Sequence, residues 1–293
     1  MRSLLFLPAD SDRKLAKGFG SGADGLILDL EDSVAFDRKA GARQTALAYL
    51  KDHVPRAQRP RLIVRVNALD TGLTDADLDV IVAGKPDAIL LPKAEGGPSV
   101  VHLDAKLTAR EALHGLPDGA IEIFALTTET ASALFLCGTY AGASKRLTAL
   151  TWGAEDLSAE LGSETNRDAH GRFTSPYMLA RNLSLAAAAA ARVQAIDTVY
   201  ADFRNMDGLR EESLEARRDG FTAKIAIHPA QVPVINDVFT PSAEETAKAR
   251  AVIDAFAADP SAGVVAIGGV MYDRPHLRRA ERLLARVGAP ATS

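Results

Sequence analysis

The stretch GLILDLEDSV, residues 25–34, decides how the rest of the chain is interpreted. It contains four apolar residues within positions 26–30, as a buried strand does, and then places Asp29, Glu31 and Asp32 within four positions. Clustered carboxylates repel one another and lose hydration when they are buried. We therefore expect this strand to end where its negative charges meet a counter-charge.

Seven further segments share the apolar character of this strand. Most of the eight are apolar on successive residues rather than on alternate ones, which is typical of parallel strands that are covered on both faces. The predicted strands are residues 3–8, 25–31, 61–67, 88–94, 121–129, 147–152, 195–200 and 223–228.

Amphipathic stretches between these strands are predicted to be helices, at residues 10–22, 37–53, 98–113 and 175–194. Asp10 is a possible N-cap of the first helix, and Pro98 suits the first turn of the third. Strands that alternate with helices predict an α/β fold, a (β/α)8 TIM barrel, with a doubly wound open sheet as the alternative.

Two further helices are predicted after the eighth strand, near residues 242–258 and 273–287. A closed barrel does not require them. We expect a catalytic barrel domain at residues 1–240 and a C-terminal helical extension at residues 241–293, which serves as a lid or as a subunit contact.

Composition narrows the class of protein. The 293 residues are 47% hydrophobic and 25% charged, and the formal net charge of −4 with no basic tract argues against nucleic acid as a partner. Cys137 is the only cysteine, so an intrachain disulfide is excluded and a reducing compartment is favoured.

No apolar run approaches the ~20 residues of a membrane span. The apolar run before Pro8 is too short for a signal peptide, so we expect a cytoplasmic protein.

Polar residues end most of the predicted strands, and in a barrel of this kind the active site lies at the carboxyl ends of the strands. One arginine and one lysine do not neutralise so many acids, so we expect a divalent cation. Oxygen ligands select Mg²⁺, or Mn²⁺, and no Cys and His pair has zinc spacing. From the second strand onward these residues are Asp29, Glu31, Asp32, Arg65, Asn67, Lys93, Glu95, Glu129, Glu155, Asp156, Asp197, Asp202 and His228.

Glu129 and Asp156 are the predicted metal ligands, because they follow the adjacent fifth and sixth strands. Asp29, Glu31 and Asp32 are predicted to hold metal-bound waters around them. A different role is open for Asp32 and Asp156, since acids at strand ends often cap the following helix.

Arg65 and Lys93 are the cations of the predicted site. An arginine among apolar strand residues is costly to bury without a partner, and its planar guanidinium suits the carboxylate of a small acid. A structural ion pair with an acid on a neighbouring strand is the alternative. Lys93 is either a Schiff-base lysine or a partner of Asp29 or Glu31, and we favour pairing because the nearby acids keep it protonated. His228 is expected to be structural.

The same residues carry a resemblance that spans residues 2 to about 287. The chain resembles the citrate lyase β-subunit-like family of the HpcH/HpaI aldolase superfamily, whose relatives include malyl-CoA and citramalyl-CoA lyases. The blocks that carry it, in order, are RSLLFLPA, DGLILDLEDSV, RLIVRVNALDTG, AILLPKAE, TTET, WGAEDLSAELG, GFTAKIAIHPAQV and GVMYDRPHLRRAERLL.

The resemblance implies a TIM barrel and a Mg²⁺-dependent lyase that cleaves a 3-hydroxyacyl-CoA of the citramalyl-, malyl- or citryl-CoA type to acetyl-CoA and a 2-oxo acid. It implies that Glu129 and Asp156 bind the metal and that Arg65 grips the carboxylate of the oxo acid. Asp273 is implied as the acid/base that reaches the site of a neighbouring subunit, so we expect a homo-oligomer, a trimer or a hexamer.

The resemblance also implies that Arg13 and Lys17, after the first strand, contact the phosphates of CoA. Four alternatives stay open at this point: a metal-dependent aldolase on free hydroxy-oxo acids, a malyl-CoA thioesterase, a citrate lyase β subunit that acts on a carrier-bound thioester, and a regulatory subunit that is inactive alone. Which oxo acid is used is not decided, because one methyl group in an apolar pocket is worth only ~1–3 kcal/mol.

Overall fold

The structure is a computed structural model that describes residues 1–288. Eight parallel strands close into a barrel in chain order, and β8 pairs with β1. This closure confirms the predicted TIM barrel and excludes the open sheet. The strands are β1 (Ser3–Pro8), β2 (Gly25–Asp29), β3 (Arg61–Arg65), β4 (Ala88–Leu91), β5 (Glu122–Thr127), β6 (Leu147–Trp152), β7 (Gln194–Asp197) and β8 (Ala223–Ala226).

Helices follow the strands and cover the outside of the barrel. In chain order they are α1 (Asp12–Phe19), α2 (Lys39–His53), α3 (Thr74–Ile81), α4 (Gly96–Leu113), α5 (Ala131–Leu136), α6 (Glu155–Leu161), α7 (Ser175–Ala191), α8 (Met206–Asp219), α9 (Val232–Phe239), α10 (Ala243–Ala258) and α11 (Arg274–Gly288). The expectation for Asp10 is wrong, since Ser11 occupies the N-cap position of α1. Helix α4 begins at Gly96, two residues earlier than predicted, and Pro98 lies in its first turn, as expected.

Five of these helices, α3, α5, α6, α8 and α9, were not predicted from the sequence. Four of them have eight residues or fewer, so they complete too few turns for a helical period to stand out. The buried stripe of α8 consists of Leu209, Ser213 and Ala216, in which only one residue is strongly apolar.

Two apolar layers explain why the strands are apolar on successive residues. In β4, Ala88 and Leu90 point into the barrel interior, whereas Ile89 and Leu91 pack in the layer between the barrel and the helices. Because successive side chains of a strand point to opposite faces, both faces of β4 are buried in protein.

The C-terminal segment forms a small unit after the barrel. Helices α10 and α11 enclose a minor core that includes Phe256 and Tyr272. The segment predicted only as a short stretch between two helices is an antiparallel hairpin of β9 (Val264–Ile267) and β10 (Val270–Asp273). The predicted domain division at residue 240 stays a prediction. Within residues 1–288, no helix combines the length and apolar composition needed to cross a membrane.

Candidate active site

A cavity of about 830 Å³ opens at the carboxyl ends of the barrel strands. Polar groups that line it include Asp29, Arg65, Glu129 and Asp156, which come from four different strand ends. Apolar side chains of the barrel interior also line this cavity, namely Phe6, Leu126, Val199 and Ile225. The cavity therefore places charged groups against an apolar surface.

Arg65 and Asp29 form a two-point ion pair at the ends of β3 and β2. Nε and Nη2 of Arg65 donate to the two oxygens of Asp29 at 2.7 and 2.8 Å. Burial alone would raise the pKa of Asp29, but the hydrogen bonds and charge of Arg65 outweigh it and the pKa is lowered. The guanidinium also lies over the ring of Phe6, 4.6 Å from its centre.

The remaining nitrogen of the Arg65 guanidinium, Nη1, faces Glu31. Nη1 lies 2.9 Å from Oε2 of Glu31, but the geometry is that of a charge contact and not of a directed hydrogen bond. Each Nη nitrogen carries a second N–H group, and Arg65 lines the cavity. The structural ion pair that the sequence left open is therefore present, and it leaves donors for a carboxylate in the cavity.

Lys93 joins the acidic loop after β2 to the first turn of α6. Its Nζ donates to Oε1 of Glu31 at 2.5 Å and lies 3.3 Å from Asp156 and 3.5 Å from Asp32. Burial would lower the pKa of Lys93, but the hydrogen bond and charge of Glu31 outweigh it and the pKa is raised. A protonated amine is not a nucleophile, so this environment disfavours a Schiff base.

Glu129 is a buried carboxylate of the cavity wall, with 3% of its surface exposed. Its Oε2 accepts a hydrogen bond from the backbone N–H of Lys93 at 2.5 Å. Burial, with the nearby charge of Asp156 added, raises the pKa of Glu129 to about 8. A positive charge beside Glu129 would favour its ionised form.

Two residues with a left-handed backbone conformation flank the hydrogen bond between Glu129 and the Lys93 amide. Lys93 and Thr128 have φ angles of 49° and 63°, which are uncommon outside glycine and unfavourable for a β-branched residue. Conformations of this kind cost about 1–3 kcal/mol each and are found mostly at functional sites. Neighbouring strand ends thus hold two strained residues at the point where Glu129 enters the cavity.

Gly153 makes room for the Glu129 side chain. A Cβ atom at position 153 would lie 2.8 Å from Cγ and 3.0 Å from Oε1 of Glu129. Three residues later, Asp156 lines the cavity from the first turn of α6. Ala154 occupies the N-cap position of that helix, so Asp156 is not its N-cap residue.

The site has an excess of negative charge that an oxygen-preferring cation would neutralise. Five carboxylates surround two cations, namely Asp29, Glu31, Asp32, Glu129 and Asp156 around Arg65 and Lys93. In the part of the chain that the structure describes, no group of three or more His, Cys, Asp or Glu side chains is arranged to hold a metal ion. Mg²⁺ commonly uses one or two protein carboxylates and completes its shell with water and substrate oxygens. The pair of Glu129 and Asp156 fits that requirement, and their assignment as ligands stays a prediction.

Lysines of α1 form the rim of the cavity. Lys14 and Lys17 line it, whereas Arg13 is exposed on the same helix without lining it.

Asp273 does not line the cavity of its own chain. Its carboxylate instead contacts Nδ1 of His276 at 2.5 Å, and this hydrogen bond lowers the pKa of Asp273.

Comparison with known proteins identifies the family. A family model described as HpcH/HpaI aldolase/citrate lyase matches residues 2–229. The chain belongs to this family. The match confirms the resemblance found in the sequence.

Relatives in this family resemble the chain over nearly its whole length. A (3S)-malyl-CoA thioesterase from Cereibacter sphaeroides is 38% identical over 294 residues, which cover 99% of this chain and 95% of the relative. Citrate lyase subunit beta from Escherichia coli is 34% identical over 287 residues, 97% and 92% of the two chains. CitE from Mycobacterium tuberculosis, solved in complex with magnesium, acetoacetate and coenzyme A, shares 33% identity and a TM-score of 0.76 over 98% of each chain.

Not every residue expected at the strand-end site lines the cavity, and Asp197 is one that does not. Asp197 ends β7 but points away from the barrel interior, where it accepts hydrogen bonds from Lys224 at 2.6 Å and from Nε1 of Trp152 at 2.8 Å. Its neighbour Ile196 occupies the interior face. Since adjacent strand residues face opposite sides, the alternation around Ile196 is the signal that could have excluded Asp197.

Other residues of the site were missed or underestimated. Lys14 lines the cavity although Arg13 was preferred, and the two cannot be separated by charge pattern alone. His228 has the expected structural role, since its Nδ1 accepts a hydrogen bond from the amide of Ala230 at 3.2 Å, but it also lines the cavity. Lys39 contacts the loop after β2 from a helix that begins ten residues beyond Asp29, and no local motif marks it.

Proposed function

We propose that the protein is a Mg²⁺-dependent carbon–carbon lyase, which cleaves a 3-hydroxyacyl-CoA of the citramalyl-, malyl- or citryl-CoA type to acetyl-CoA and a 2-oxo acid. One observation carries the proposal: a single cavity is lined by Arg65, Glu129 and Asp156. Membership of the aldolase/citrate lyase family supports it, as does the related CitE structure that contains magnesium, acetoacetate and coenzyme A.

Arg65 is the proposed anchor of the oxo-acid carboxylate. Asp29 holds the edge of the guanidinium formed by Nε and Nη2, so the remaining N–H groups point in a defined direction. Arginine suits this task because its planar donors match the two oxygens of a carboxylate. Glu129 and Asp156 would hold the Mg²⁺ ion, which when bound supplies Lewis-acid polarisation of the oxo-acid oxygens.

The reaction needs one proton to leave and one to arrive. In cleavage, a base removes the proton of the 3-hydroxyl group, the bond between carbons 2 and 3 breaks, and its electron pair enters the thioester as an enolate. Carbon 3 becomes the carbonyl of the 2-oxo acid, and protonation of carbon 2 gives acetyl-CoA. The apolar residues Phe6, Leu126 and Ile225 keep the enolate away from bulk water.

Asp273 of a second copy is the proposed acid/base that exchanges a proton with carbon 2. Within one chain it lies in the C-terminal extension, outside the cavity. The role therefore needs a homo-oligomer, a trimer or a hexamer, in which the hairpin of β9 and β10 contacts the neighbouring barrel. Val264, Val270 and Met271 on this hairpin are exposed, as an element that awaits such a contact would be.

The basic rim of the cavity is the proposed site for the CoA phosphates. Lys14 and Lys17 project from α1 beside the opening, and Arg13 lies on the same helix. Lysine and arginine both bind phosphate, and their positions leave the thioester end of the substrate to reach inward toward Glu129.

A malyl-CoA thioesterase is the second candidate, because the relative with that activity in its name is 38% identical to this chain. Hydrolysis would leave the carbon skeleton intact and release free CoA and the hydroxy acid. The same cavity would bind the substrate, but water would attack the thioester carbonyl.

A panel of citramalyl-, malyl- and citryl-CoA, each with and without EDTA, tests the proposal. Release of 2-oxo acid without free thiol, abolished by EDTA and restored by Mg²⁺, is the expected result. Release of free thiol without 2-oxo acid would favour the thioesterase. Turnover of a free hydroxy-oxo acid without CoA would favour an aldolase. No turnover together with tight binding of an acyl-carrier protein would favour a regulatory or carrier-binding subunit that is inactive alone.

A further inference from the structure

The ammonium of Lys39 is inserted beneath the loop that carries the acids after β2. Lys39 is the first residue of α2 and is half-buried. Its Nζ donates to the backbone carbonyls of Leu30 and Glu31 at 2.8 and 2.9 Å, and to Oδ1 of Asn67 at 2.6 Å. An ammonium has three N–H donors, so these three acceptors satisfy it completely.

Asn67, the third acceptor, is itself held rigidly. Its backbone N–H and its side-chain Nδ2 both donate to Oδ2 of Asp77 at 2.7 Å. Asp77 is fully buried, and its other oxygen accepts from Nε of Arg43 at 2.6 Å. Arg43 lies one turn after Lys39 on α2, so the first two turns of this helix serve one polar network.

Glu31 is the residue that this network holds in place. Its backbone N–H donates to Oδ1 of Asp29 at 2.9 Å, and its carbonyl accepts from Lys39. Its carboxylate then contacts Lys93 at 2.5 Å and Arg65 at 2.9 Å. Any shift of the Glu31 backbone therefore moves the carboxylate that touches both cations of the site.

We propose that Lys39 is a positioning residue, which fixes Glu31 and, through it, the orientation of Arg65 and Lys93 in the cavity. Lys39 does not line the cavity and so is not expected to touch the substrate. The inference rests on the proposed function only in that Arg65 binds the carboxylate of the oxo acid. A purely structural lysine would affect stability without being coupled to the Glu31 side chain.

A double-mutant cycle between Lys39 and Glu31 tests the coupling. Lys39→Met, Glu31→Gln and the double variant are compared by kcat and by KM, on whichever thioester the wild-type protein turns over. Lys39→Met is expected to lower kcat by about tenfold or more. In the double variant the losses should be non-additive by at least about fivefold, because the two changes disable one unit. Additive losses would overturn the proposal.

Control variants accompany the cycle. Lys51→Met removes an exposed lysine from the far end of the same helix and should leave kcat within about twofold of wild type. Lys39→Arg keeps a charged multiple donor and should restore part of the activity that Lys39→Met loses. If Lys39→Met does not fold, Lys39→Gln, which keeps fewer donors, should show the same coupling to a smaller extent.

Hydrogen exchange provides a readout that needs no activity. In metal-free protein, Lys39→Met should speed amide exchange in the peptide that covers residues 29–34, whereas Lys51→Met should not. Unchanged exchange in Lys39→Met would overturn the proposal even if the enzyme were an active lyase. Conversely, a wild-type protein without lyase activity would overturn the proposed function and leave the exchange result to decide the role of Lys39.

Discussion

Arg65 and Asp29 are direct neighbours across the pairing of β3 with β2, and their side chains meet in two parallel hydrogen bonds of 2.7 and 2.8 Å. The pair ends two strands with opposite charges, so each residue orients the other. This relationship answers why a buried strand can end in carboxylates: the counter-charge arrives from the adjacent strand. It also makes Arg65 a pre-oriented donor group.

Arg65→Ala should weaken the binding of glyoxylate, pyruvate or oxaloacetate by roughly 10- to 100-fold, the effect of losing hydrogen bonds to a charged group. Calorimetric titration of each oxo acid in the presence of Mg²⁺ measures this. Arg61→Ala removes an arginine from the opposite end of β3, where it pairs with Glu122, and is the matched control. Unchanged oxo-acid affinity in Arg65→Ala would remove Arg65 from the proposed role.

Glu129→Gln and Asp156→Asn should each lose lyase activity and Mg²⁺ affinity together, because the amide side chains carry no charge to hold a dication. Calorimetric titration with Mg²⁺ measures the affinity, and release of 2-oxo acid measures the activity. Glu160→Gln changes an exposed acid on the same helix as Asp156 and should alter neither. If either site variant binds Mg²⁺ normally, the choice of ligands is wrong.

Glu129 should make the metal-free protein less stable as pH rises. Its pKa is about 8 in the folded chain against an ordinary value of 4.5, so between these values the unfolded chain has lost a proton that the folded chain keeps. The free energy of unfolding therefore falls as pH rises through this window. Urea unfolding in EDTA from pH 5 to 9 measures the slope.

Glu129→Gln is the control for this pH dependence, because a glutamine does not titrate. We expect the slope to become shallower in the variant, and the variant to be more stable than wild type at pH 8 in EDTA. Added Mg²⁺ should stabilise the wild type at that pH and the variant much less. If the free energy of unfolding changed with pH in the same way in both proteins, the raised pKa of Glu129 would be contradicted.

Gly153→Ala should reduce activity and Mg²⁺ affinity by about tenfold or more, since its Cβ atom would lie 2.8 Å from Cγ of Glu129 and force that side chain out of place. Gly138→Ala is the matched control, because a Cβ atom there meets no atom within 4 Å. Equal activity of the two variants would show that the position of Glu129 does not depend on Gly153.

Asp273→Asn should spare folding and Mg²⁺ binding but stop the exchange of protons at the methyl group of acetyl-CoA, which is followed in deuterium oxide by mass spectrometry. Asp259→Asn, an exposed acid of the same extension, is the control. If Asp273 serves a neighbour, mixing Asp273→Asn subunits with Arg65→Ala subunits should restore part of the activity. Normal exchange in Asp273→Asn would exclude the residue as the acid/base.

The barrel was predictable because its strands have a strong local signal. A strand that is buried on both faces must be apolar on successive residues. Most of the eight strands show this pattern, and all eight were located from the sequence. The short helices were not located, because α5 and α6 have six and seven residues and show little periodicity. The hairpin of β9 and β10 was equally hidden, since its strands have only four residues each.

The sequence by itself determined the order of strands, the family and the set of acids and bases at the strand ends, because these depend on residue type and on spacing along the chain. The tertiary structure decided which of them face the cavity. In the fold, Asp197 faces Lys224, Arg65 pairs with Asp29, and Lys39 lies beneath the acidic loop after β2. The tertiary structure also raised the pKa of Glu129. The direction of a side chain, its burial and its charge environment depend on groups that are far apart in the chain. A local sequence pattern therefore does not contain this information.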